Sequence, residues 1–178
     1  MKRLVLAGLL FSGLFACPGY GPGPCWKYNQ ENSYMNHSNT PSHIPYLKSH
    51  FNEYKSSLNI NEKNLEINWV ITSSKENLDI LKSHIEFMKS MIFSGRTPRK
   101  WDRLFVDYAK LRPYMHESIK EENNKLIISQ KADNICAFEF AKAHALAVKN
   151  DFFNGNTFKD YSSKAVELEN LPECRKFF

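Results

Sequence analysis

A chain of 178 residues holds one compact domain with room for an appendage, and 42% apolar with 24% charged residues excludes a disordered chain. Seven Gly and eight Pro, several of them gathered in 18–24, exclude a collagen-like repeat and argue against an all-β protein built on many tight turns. The formal charge of +5 falls to +3, 22 cationic against 19 acidic side chains, once Lys2 and Arg3 are set aside, and this gives no case for nucleic acid as a partner.

Residues 1–16 read as a secretory signal peptide: Lys2 and Arg3 form a basic head, and the uncharged run from Leu4 to Ala16 is too short to cross a bilayer as a helix. Leu14-Phe15-Ala16-Cys17 resembles the lipobox of bacterial lipoproteins. The resemblance implies that Cys17 becomes the lipid-carrying first residue of the mature chain, a membrane anchor. The alternative is an ordinary cleaved signal and a secreted product. Residues 17–43 follow as a Gly/Pro/Asn-rich, disordered tether, because Pro18-Gly19-Tyr20-Gly21-Pro22-Gly23-Pro24 suits neither a helix nor a central strand. Met35, His37 and His43 in this stretch are either loose copper ligands or parts of a polar linker.

Residues 44–178 are expected to form an all-α domain, a helical bundle of about five or six helices. Tyr46, Leu47, Phe51, Tyr54 and Leu58 space as a helix over 46–58. Leu65 to Ile71 alternates like a strand but has no evident partner, so it reads as a helix extension or packed linker. Ser73 and Glu76 suggest a capping box before a helix carrying Leu78, Leu81, Ile85, Met88 and Ile92, with Gly95 as its stop. Thr97-Pro98 suggests the next start, with Trp101, Leu104, Phe105, Tyr108 and Leu111 at helical spacing up to Pro113. A further helix is expected over 114–128, with Met115, Ile119, Leu126 and Ile127. Asp133 is read as the cap of the clearest helix, from Phe138 through Phe152 to Gly155. Thr157 opens a last one through Tyr161, Ala165 and Leu168.

Cysteine usage fits export. If Cys17 carries lipid, then Cys25, Cys136 and Cys174 remain as disulfide candidates, with Cys174 expected to join Cys136 or Cys25 and pin the C-terminal tail. No Cys-x-x-Cys spacing supports a zinc ribbon or a thioredoxin-like site.

A weak internal repeat appears at an offset of sixty: Lys82-Ser83-His84, Lys89, Phe93, Gly95 and Thr97 align with Lys142-Ala143-His144, Lys149, Phe153, Gly155 and Thr157. His84 shares a stripe with Ile80, Phe87 and Met91, and His144 shares one with Phe140, Ala141 and Val148, so both imidazoles should point toward the core. Two readings follow. In the first, both are satisfied core residues. In the second, two symmetric helical hairpins bring the rings together as ligands of a metal ion or haem b, with Met88, Met91, His116 and Asp151 as further ligands.

Arg96, Arg99 and Lys100 surround an expected helix N-terminus, where an anion would be welcome, while the plainer reading pairs them with Asp102 or water. Catalysis has little support. There is no Gly-x-Ser-x-Gly, phosphate loop or His-Glu-x-x-His, and Glu117, Glu121 and Glu122 beside His116 read as a charged face before an acid/base pair. The reading that emerges is an exported bacterial cell-envelope protein, a non-enzymatic binding module for an envelope protein or small ligand, tethered to the outer membrane or periplasmic face through Cys17. The metal- or haem-binding bundle of His84 and His144 and a disulfide-stapled inhibitor or immunity-type protein are its alternatives.

Overall fold

The structure, a computed structural model, describes residues 43–97 and 99–178. The expected signal, the lipid site Cys17, Cys25, Met35, His37 and Pro98 lie outside the described residues. In chain order the elements are α1 (His43–Ser49), a 3-10 turn (Phe51–Glu53), β1 (Lys55–Asn61), β2 (Glu66–Thr72), α2 (Lys75–Phe93), α3 (Arg103–Leu111), a 3-10 turn (Arg112–Tyr114), β3 (Met115–Glu122), β4 (Lys125–Ala132), α4 (Ile135–Val148), a π turn (Lys149–Phe153) and α5 (Ser162–Glu169).

The all-α expectation is corrected: four strands form an antiparallel sheet in the order β1-β2-β4-β3. The expected helix over 46–58 stops at Ser49 and continues as β1, and the one expected over 114–128 is the β3–β4 hairpin. Asn123 and Asn124 close that hairpin with φ of 49° and 57°, the left-handed pair that a two-residue turn of this hand demands and that Asn tolerates. Residues 65–71, read as a helix extension or packed linker, supply a central strand whose partners are β1 and the distant β4.

The sheet packs one face on helices. Ile67, Trp69 and Ile71 of β2 and Leu126, Gln130 and Ala132 of β4 point inward and are buried, while Val70 between them is exposed. Leu78 and Leu81 of α2 and Phe138, Phe140 and Ala141 of α4 complete the core. Each such large apolar side chain contributes roughly 1.5–3 kcal/mol by leaving water. Helix α4 is buried on most of its circumference, at Cys136, Ala137, Phe138, Phe140, Ala141, Ala143, Ala145 and Ala147, and packs against α3, α5 and the sheet. Its alanines allow that close approach on several sides at once.

Local chemistry sets the ends. Ser74 caps α2 by accepting from the Asn77 N–H, and Asn134 caps α4 by accepting from the Ala137 N–H, each one residue beyond the expected cap. Asn77, itself buried, accepts at its side-chain oxygen from the Tyr46 hydroxyl (2.9 Å) and donates to Glu53 Oε2 (2.8 Å), tying α1 and the turn before β1 to α2.

The sixty-residue repeat is present in the backbone. The first ladder opens at Lys55–Thr72 and the second at Met115–Ala132, the helix caps fall at Ser74 and Asn134, and the left-handed glycines are Gly95 and Gly155. The repeated unit is a β-hairpin followed by a helix, in place of the expected helical hairpin. Side-chain faces do not repeat. An even offset preserves parity along a strand, yet inward positions are odd in β2 and even in β4, so Ile67 and Ile71 match Ile127 and Lys131 on the opposite face. The halves share order and caps without sharing a superposable core.

Candidate functional site

Arg99 stands in the left-handed region at φ 58°, four residues ahead of the start of α3, with its guanidinium turned inward. It donates from Nη1 to Asp151 Oδ2 and from Nη2 to Asp102 Oδ2, both at 2.9 Å, and also to the Lys159 carbonyl. The Phe105 ring lies 3.9 Å and the Trp101 ring 4.7 Å from the guanidinium carbon, a stacking that suits a planar cation. Asp102 is fully buried. Its Oδ1 caps α3 through the Leu104 N–H, and its Oδ2 also accepts from the Tyr161 N–H at 3.3 Å. Burial raises the Asp102 carboxyl above its ordinary range, against the Tyr161 N–H and the Arg99 charge, which favour the ionised form.

The π turn after α4 places Asp151 in this cluster, with the Tyr161 hydroxyl donating to Asp151 Oδ1 and Asn150 donating to that hydroxyl, both at 2.8 Å. The hub therefore joins the start of α3, the end of α4 and the segment leading into α5. Of the three cations expected around an anion, Arg99 is committed to two carboxylates, and Arg96 donates to Ser94 Oγ.

Beside the hub runs a groove of about 290 Å³. Leu104, Ala143 and Ala147 form its apolar floor, Leu146, 48% exposed, forms one wall, and Asn150, Tyr161, Lys159 and Lys164 stand around it. Ala143 and Ala147 are one helical turn apart, and their small side chains leave the depression open. Sequence reasoning missed Leu146, Asn150, Lys159 and Lys164. The available signal was an Ala-x-x-x-Ala step flanked by a leucine on a helix otherwise buried nearly all round. A second depression, about 350 Å³, lies by Asn68, Ser118 and Ser129 on the sheet face turned away from the described helices, and its charged members pair with neighbours: Lys131 with Glu66 (3.7 Å), His116 with Asp133 (2.8 Å) and Glu117 with Lys89 (3.0 Å).

Compared with protein-family models, curated proteins and solved structures, the chain matches none.

His84 and His144 have separate surroundings. His144 of α4 stacks on Tyr108 of α3 with ring centroids 3.9 Å apart, and Phe105 meets it edge-on at 4.9 Å. Burial, helped by the Arg112 and Arg99 cations, pushes its pKa down to about 3. His84 of α2 meets His43 of α1 at 6.0 Å, and burial together with that neighbour lowers it to about 4. Each imidazole thus occupies the seam between a long helix and the short helix preceding its hairpin, and neither ring has the other as a neighbour. Met88 and Met91 are half-buried on α2, and Asp151 belongs to the Arg99 hub. Among the described residues no three His, Cys, Asp or Glu side chains group closely enough to hold a metal ion.

Glu117 and Glu121 face inward from β3, where Lys89 (3.0 Å) and Arg112 (3.5 Å) meet Glu117 and Lys75 (2.9 Å) meets Glu121. They are ion-paired and apart from His116, whose ring points to the other face of the sheet. Glu122 is exposed at the hairpin tip. Cys136, at the start of α4, and Cys174, in the turn after α5, are joined at 2.07 Å, both fully buried, so the C-terminal segment is fastened to the central helix.

Proposed function

We propose that the protein is a non-enzymatic binding module of the bacterial cell envelope, tethered through Cys17, and that the groove between α4 and the segment entering α5 receives an acidic, amphipathic segment of an envelope protein. The observation that carries the reading is the groove: an apolar floor at Leu104, Ala143 and Ala147 beside two lysines. Apolar side chains fill the floor while carboxylates meet Lys159 and Lys164, the arrangement by which amphipathic helices dock in grooves. Lys159 has no carboxylate partner among the described residues, and Lys164 shares only the exposed Glu167. The Cys136–Cys174 bond supports residence outside the reducing cytosol, in keeping with the lipobox resemblance at residues 14–17.

The test places a photo-crosslinking residue at Leu146 in cells. A discrete protein adduct that disappears in Lys159→Glu/Lys164→Glu, with the Cys17→Ser variant leaving the membrane fraction, is the expected result. An adduct indifferent to the charge reversal overturns the groove reading. A Cys17→Ser protein that stays with membranes overturns the anchor.

A further inference from the structure

We propose that His43 and His84 together hold a copper ion at the seam of α1 and α2, with the Met88 thioether as an additional ligand. The separation is the first reason. An imidazole nitrogen sits about 2.0–2.1 Å from a bound ion of this size, so two rings sharing one ion have centroids about 5 Å apart at a tetrahedral angle and about 6.4 Å apart when opposed. The His43 and His84 centroids are 6.0 Å apart, inside that interval, in a T-shaped pair with ring planes at 90°, so binding requires one ring to turn until a nitrogen of each meets the ion.

The second reason is an unused nitrogen. His84 Nδ1 is buried and has no hydrogen-bond partner among the described residues. A buried polar atom left in this way has lost its hydration with no bond to offset the loss. A metal bond at either ring nitrogen fixes the tautomer and gives that imidazole an ordering partner. The other described histidines are placed differently. His50 lies 2.8 Å from the Tyr46 carbonyl, His116 is 2.8 Å from an Asp133 oxygen, and His144 is stacked on Tyr108 beside the repelling cations Arg112 and Arg99.

The donor set selects the metal. Met88 stands one turn beyond His84 on the same face of α2, and Phe87, between them in sequence, already touches His43 at 6.4 Å between centroids, so His43 lies over this stretch of the helix. Two imidazoles and a thioether suit copper, which also heads the divalent affinity order, whereas a structural zinc site asks for a closed tetrahedron. His43, His84 and Met88 are all only partly buried, leaving the ion a way in.

The experiment titrates the disulfide-intact full chain with Cu(II) by calorimetry and paramagnetic resonance, and with Cu(I) against a chromophoric chelator. One ion per chain with nitrogen coordination is expected. His43→Asn and His84→Asn should each weaken it by about tenfold or more, Met88→Leu should weaken Cu(I) more than Cu(II), and His37→Asn, His50→Asn and His144→Asn should leave affinity unchanged. His43→Asn, at the half-exposed first turn of α1, keeps the test readable where His84→Asn unfolds. Unchanged affinity in His43→Asn, loss of binding in His37→Asn, or zinc bound as tightly as copper overturns the assignment.

Discussion

Tyr108 and His144 lie face to face, their rings 2° from parallel and 3.9 Å between centroids. The stack joins α3 to α4, and the Tyr108 hydroxyl accepts from Gln130 of β4 at 3.0 Å, so one aromatic pair links two helices and the sheet. Protonating His144 would put a charge inside that contact and near two arginines.

Stability should therefore fall in acid with a slope traceable to this ring. The folded pKa, about 3, is below the ordinary 6.5, so between those values the unfolded chain binds the proton and the folded one does not. The contribution is complete above pH 6.5 and is lost as pH falls toward about 3, by at most about 1.4 kcal/mol per pH unit. His144→Phe keeps the aromatic packing, so its denaturation midpoints at pH 7, 5 and 4 should decline less steeply than those of the wild type. A wild-type-minus-variant difference that is constant with pH rules this out.

Arg99→Leu should cost about 3–5 kcal/mol, because Asp102 and Asp151 would remain buried without their counter-charge. Arg99→Lys should recover little of that, since one ammonium replaces a fork that reaches both carboxylates. Adding Asp151→Asn to Arg99→Leu should restore part of the loss in urea unfolding, and strict additivity of the two substitutions would deny their coupling.

Replacing Cys136 and Cys174 together by Ala should cost about 2–4 kcal/mol. The two residues are 38 apart in sequence, and the bond fastens the turn after α5 to the start of α4. Hydrogen exchange should accelerate first in α5 and the C-terminal turn while the middle of α4 stays protected. Uniform acceleration through both would show the bond to be a global rather than a local clamp.

The left-handed Gly95 and Gly155 should respond differently. Gly95→Ala meets open space and costs about 1 kcal/mol for φ 75° alone. Gly155→Ala, at φ 66°, would set its methyl 2.2 Å from Phe51 Cε2 and should cost clearly more. Phe51→Ala combined with Gly155→Ala should give back part of the excess in thermal melts, and equal costs at both glycines would contradict the contact.

Much of the Arg99 hub was written in the chain as residue types, with Arg99, Asp102, Asp151 and Tyr161 all visible, but their meeting was not. Arg99 and Asp151 are 52 positions apart, and the π turn that brings Asp151 inward has no simple spacing signal. The same holds for the histidines. Their inward stripes were legible at 84 and 144, yet the ring beside His84 is His43 from α1 and the one beside His144 is Tyr108 from α3.

By itself the sequence determined the local events: where α2 and α4 run, the glycines that follow them and the oxidation of Cys174 with one of two candidates, whereas α3 starts at Arg103 behind its Asp102 cap and not at the expected Thr97-Pro98. Helix caps, glycine stops and 3.6-residue spacing act over a few residues, so they show in the chain. The sheet was decided only by tertiary structure. In β3 the inward positions are Met115, Glu117, Ile119 and Glu121, and two carboxylates among them hide the alternation so that Met115 and Ile119 pass for a helical step. Those carboxylates are tolerable there because lysines of α2 and Arg112 neutralise them. The β2–β4 pairing that joins the two hairpins into one sheet links residues 53 to 65 apart, and no short window of sequence contains both of its strands.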